Sequence, residues 1–154
     1  MKVPEKIYIQ LSCDKKVDLS GIILDIKITA GRKNPYYVTT PKTDKAGKSI
    51  LTNEDLKGQF EDFWERALMD YDGNLEVAEP IVEVSLWDPT WYRENKGSHF
   101  AWDLLKGEKK KWKSREEEYN YKISCRNDEF EADPIRVNLH ETNTISLKVK
   151  RLDP

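Results

Sequence analysis

Residues 21–69 constrain the fold most, because an apolar strand, a polar turn and a capped helix follow one another there without a break. The first run places Ile22, Leu24, Ile26 and Ile28 on one face and Asp25, Lys27 and Thr29 on the other. That period of two is what a half-buried strand imposes. A second strand, Tyr36-Tyr37-Val38-Thr39, and the turn Thr43-Asp44-Lys45-Ala46-Gly47 come next. The rhythm then changes over 53–69, where Leu56, Phe60, Phe63, Trp64, Ala67 and Leu68 recur at helical spacing. Thr52 and Asp55 form a capping-box-like start with an acidic first turn. Gly58 lies inside the helical pattern and costs about 1 kcal/mol relative to alanine.

The same alternation predicts strands near 6–13, 20–30, 35–40, 47–51, 80–87, 119–126, 134–140 and 144–151. Val82, Val84 and Leu86 make one apolar face, as do Ile135, Val137 and Leu139, then Ile145, Leu147 and Val149. Glu141-Thr142-Asn143 reads as the turn of a hairpin joining the last two strands. The expected architecture is mainly β: an antiparallel, Ig-like β-sandwich of about seven to eight strands, with the inserted helix at 53–69. Residues 88–118 form an irregular aromatic and charged loop region, with a short helix near 98–105 capped by Ser98.

A chain of 154 residues suits a single domain, 1–154, with its own core. Hydrophobic residues at 38% against charged residues at 35% describe a folded globule with a heavily charged surface. A net charge of -2 supplies no overall field to recruit nucleic acid or anionic lipid. No run approaches the roughly 18 apolar residues of a membrane span, and Met1–Lys6 leads into a strand without an apolar leader. The expected location is therefore cytoplasmic, a processed secreted form being the alternative. Cys13 and Cys125 fall in phase with apolar alternations and read as buried, reduced thiols, with a disulfide as the competing reading.

The Ile/Val-rich strand ending at Gly31, the second strand, and Thr43-Asp44-x-x-Gly47 before another strand resemble transthyretin-like sandwiches. Carboxypeptidase regulatory-like and Cna-B-like modules share that rhythm, and the resemblance covers about residues 20–51. It implies a non-catalytic adhesive, adaptor or accessory module. Two family activities do not carry over. Hydroxyisourate hydrolases of this fold use paired histidines and a Tyr-Arg-Gly-Ser-type tail, whereas this chain has His99 and His140 and ends Lys150-Arg151-Leu152-Asp153-Pro154. The Lys–Asn isopeptide of Cna-B modules needs buried partners, and Lys27 and Asn138 both fall on the polar phase of their strands.

Three constellations could carry chemistry. Asp70, Asp72, Glu76 and Glu79 offer oxygen ligands around Gly73, in a spacing that partly matches a calcium loop. Leu68 stands at that loop's first ligand position and a strand follows it, so the plainer reading is an acidic turn. Trp87, Trp91, Tyr92, Phe100, Trp102 and Trp112 form an aromatic cluster among polar residues. Its functional reading is a protein-binding surface with Trp91, Tyr92 and Trp102 as anchors and Arg93 giving directional hydrogen bonds. A carbohydrate-stacking platform is the alternative, and a loop tucked over the sandwich end is the structural one. The basic run Lys106–Arg115 meets Glu116-Glu117-Glu118 and reads as a self-neutralising face rather than a nucleic-acid site. Neither histidine joins a recognisable triad, no cofactor beyond calcium is implied, and the expected partner is another protein or a glycan.

Overall fold

The computed structural model describes residues 6–28, 36–52, 81–95, 113–139 and 141–153. The predicted helices at 53–69 and 98–105 lie outside these residues. Nine strands are present among them: β1 (Lys6–Ser12), β2 (Leu24–Ile28), β3 (Tyr36–Thr39), β4 (Lys48–Thr52), β5 (Ile81–Leu86), β6 (Phe130–Glu131), β7 (Ile135–Asn138), β8 (Thr144–Lys148) and β9 (Lys150–Arg151). Two α-helices, α1 (Pro89–Asn95) and α2 (Arg115–Ile123), and a 3-10 turn at Asn127–Glu129 complete the described elements. No helix among them is long and apolar enough to cross a membrane.

The strands form three sheets, ordered β4-β1-β8, β3-β2-β5-β7 and β6-β9. All pairings are antiparallel except β1 with β8, which is parallel. Alternation does what the sequence requires of it. Ile7, Ile9, Leu11, Leu51, Ile145 and Leu147 point inward from the first sheet, and Leu24, Ile26, Val38, Val82 and Val84 from the second. These side chains belong to one buried cluster, so both sheets share a core. Outward, β1 presents Lys6, Tyr8 and Gln10, β4 presents Lys48, Ile50 and Thr52, and β8 presents Thr144, Ser146 and Lys148.

The turn into β4 shows how Thr43-Asp44-x-x-Gly47 works. The Asp44 carboxylate accepts from the amides of Ala46 and Lys48, both at 2.9 Å. Gly47 sits at φ +78°, and a Cβ at this position would meet the Leu11 carbonyl at 3.0 Å, so glycine is required on both counts. The preceding threonine is a rung: Thr43 Oγ1 donates to the Leu19 carbonyl and accepts from the Ile22 amide.

Three expectations are corrected. Residues 119–126 form no strand; they belong to α2 and the turn after it. Ser114 caps that helix by accepting from the Glu117 amide at 3.1 Å, while Glu117 accepts from the Lys113 amide at 3.3 Å. The buried positions are Glu118 and Lys122, one turn apart on α2, and Cys125 just beyond its end. Glu141-Thr142-Asn143 likewise closes no hairpin between β7 and β8. β7 pairs with β5 and β8 with β1, so the chain changes sheets there. The predicted strand 144–151 is also divided, with Val149 buried between β8 and β9.

Candidate functional site

The region expected to be irregular begins with an ordered helix. Pro89 starts α1, where its missing amide costs nothing and its fixed φ suits the first turn. The Asp88 carboxylate caps it, accepting from the amides of Thr90 at 2.9 Å and Trp91 at 3.1 Å. The Asp88-Pro89 pair, placed above in an irregular loop, is the local signal that could have marked this helix.

A second buried cluster, Ile23, Trp87, Tyr92 and Cys125, lies under α1, with Tyr119, Tyr121 and Ile123 packed against it. Tyr92 is 1% exposed. Its ring lies 4.9 Å from Trp87, tilted by 58°, and 5.5 Å from Tyr119, stacked. Tyr92 is therefore not an accessible anchor for a partner; it fastens α1 to α2. Trp91 is 36% exposed, and Arg93 is exposed too. At about 100° per residue these two flank Tyr92 on opposite shoulders of the helix and cannot form one continuous patch. Arg93 donates to the Ile123 carbonyl at 3.3 Å, placing a cation at the C-terminus of α2.

Polar groups tie this cluster to the second sheet. Lys122 is 1% exposed, bonds through Nζ to Thr39 Oγ1, and lies 5.7 Å from the Trp87 ring centroid. Glu118, one turn earlier on α2, is equally buried. Asn127 Nδ2 donates to the carbonyls of Ile23 at 2.6 Å and Trp87 at 2.7 Å, while its Oδ1 accepts from the Ile23 amide at 3.0 Å. Lys42 reaches over the Tyr121 ring at 4.4 Å and donates to Ser124 Oγ at 2.7 Å. Desolvation lowers its pKa, and burial pushes the Cys125 thiol up. None of these polar residues belongs to a motif that marks a site in the sequence.

Cys13 and Cys125 are both free thiols, the first half-buried and the second buried. Trp102, the acidic loop with Asp70, Asp72, Glu76 and Glu79, and both histidines lie outside the described residues. Within the described residues, no group of three or more histidine, cysteine, aspartate or glutamate side chains is arranged to hold a metal ion. The arrangement on view is a rigid aromatic base carrying one exposed indole. No family model, curated protein or solved structure matches this chain.

Proposed function

We propose that this chain is a non-catalytic protein-binding or adaptor module, built as a single transthyretin-like β-sandwich domain, with α1 as its recognition element. The observation that carries this reading is Trp91, 36% exposed on a helix whose next residue is locked in the core. A large aromatic held on a rigid support loses little entropy on binding, which is how interface anchors are favoured. Arg93 serves as a positioning residue, since it already engages the C-terminus of α2. The shared core of the two larger sheets supports the sandwich.

The test is affinity capture from the source cell's lysate with wild type and Trp91→Ala side by side. A partner enriched by wild type and lost with the variant is expected, with the melting temperature shifted by less than about 3 °C. Identical capture by both baits, or a large drop in melting temperature, would remove Trp91 as an anchor.

A further inference from the structure

We propose that the outward face of the β4-β1-β8 sheet is a second docking surface, independent of α1, for an acidic peptide segment bearing apolar side chains. Tyr8 and Ile50 are 42% and 45% exposed, and they stand directly opposite each other in the β1–β4 ladder. Directly opposed residues on one face are close neighbours, so these two form a single apolar contact. Lys6 lies two residues from Tyr8 on β1, Lys48 two residues from Ile50 on β4, and Lys148 on the adjoining strand β8.

The charge on this face is one-sided. No outward strand residue of the sheet is a carboxylate. Among the described residues only Lys148 of the three lysines has an ion pair, with Asp14 at 3.0 Å, and both side chains are well exposed. Such a pair is worth little and can be exchanged for a partner's carboxylate. The other large sheet is arranged differently. Lys27 lies 3.9 Å from Glu83, which stands opposite Arg136, so charges alternate across three strands. In a chain of net charge -2, a face with cations alone is a local exception, complementary to acid.

Lysines on the edge strands β4 and β8 also discourage edge-to-edge pairing. That role does not require Tyr8 and Ile50 to stand exposed between them. A peptide fits better than single-stranded nucleic acid, whose binders stack successive bases on several aromatics within a positive groove. Here one tyrosine is paired with an aliphatic side chain, whose natural match is another apolar side chain.

The full chain is titrated, by fluorescence anisotropy, with labelled dodecamers. One alternates glutamate with phenylalanine and leucine, a second replaces the glutamates by lysine, a third replaces the apolar residues by serine, and a fourth is oligothymidine. Only the first should saturate. Tyr8→Ala should weaken it about tenfold. Lys48→Glu should weaken it and reduce its salt sensitivity, whereas Trp91→Ala should leave it unchanged. Failure of the first peptide to bind, equal binding by the lysine or serine peptide, tighter binding of oligothymidine, or unchanged affinity in both face variants would overturn the proposal. Both substituted side chains point away from the core; if Tyr8→Ala melts early, Lys48→Glu decides.

Discussion

Replacing Asn127 by alanine tests how the aromatic base beneath α1 is fastened. The side chain is 4% exposed and makes three hydrogen bonds to the backbone of Ile23 and Trp87. After truncation the Ile23 carbonyl keeps the Trp87 amide at 3.1 Å, but the Ile23 amide and the Trp87 carbonyl lose this buried partner. Each orphaned buried group costs about 1–3 kcal/mol, so the expected loss is about 4 kcal/mol. With a urea m-value of about 2 kcal/mol/M, the midpoint should fall by about 2 M at unchanged slope. Circular dichroism across a urea series reads this directly. Asn127→Asp keeps the acceptor but loses both donors, and it should regain part of its lost stability on acidification, when the carboxyl can donate again. A loss below about 1 kcal/mol for alanine would refute the clamp and place Asn127 with ordinary surface positions.

Gly47→Ala should cost more than Gly21→Ala, although φ is +78° and +77°, because only the first methyl meets backbone and core at 3.0 Å. Positive φ alone accounts for about 1–2 kcal/mol, and equal losses in thermal melts would contradict the packing at Gly47. The Arg126 side chain, bonded at 2.7 Å, holds the Glu129 carboxyl below the usual glutamate range. Its contribution is therefore present above the unfolded pKa and lost as pH falls through the folded one. Glu129→Gln should flatten that acid limb by less than about 1 kcal/mol, since the pair is partly exposed; an unchanged limb would remove the link. Cys13 borders an open cleft of about 560 Å³ and should react with a thiol reagent in the native protein, whereas Cys125 should react only on unfolding. Cys13→Ser should abolish the fast phase, and two fast thiols in the wild type would contradict the burial of Cys125.

The strands were legible where one face is wholly apolar. Ile7, Ile9 and Leu11, Val82 and Val84, and Ile145 and Leu147 are all buried in the predicted phase. Legibility failed where burial is polar. The inward face of α2 carries Glu118 and Lys122, which conceal a helical period, while Tyr119, Tyr121 and Ile123 imitate an alternating strand. The Ser114-x-x-Glu117 cap was the local signal that could have resolved it. The change of sheet between β7 and β8 could not be read locally, because it depends on β8 aligning with β1 across more than a hundred residues. In the candidate site, Trp91 and Tyr92 look equivalent in sequence, and only the orientation of α1 separates the exposed ring from the buried one.

The central claim, that α1 is a recognition element, is tested most directly by photo-crosslinking in lysate. A photoreactive phenylalanine is placed at position 91 and, in a separate sample, at position 27 on the ion-paired sheet face. The account predicts one adduct of defined mass from position 91 and none from position 27. The same adducts from both positions, or none from position 91, would contradict it.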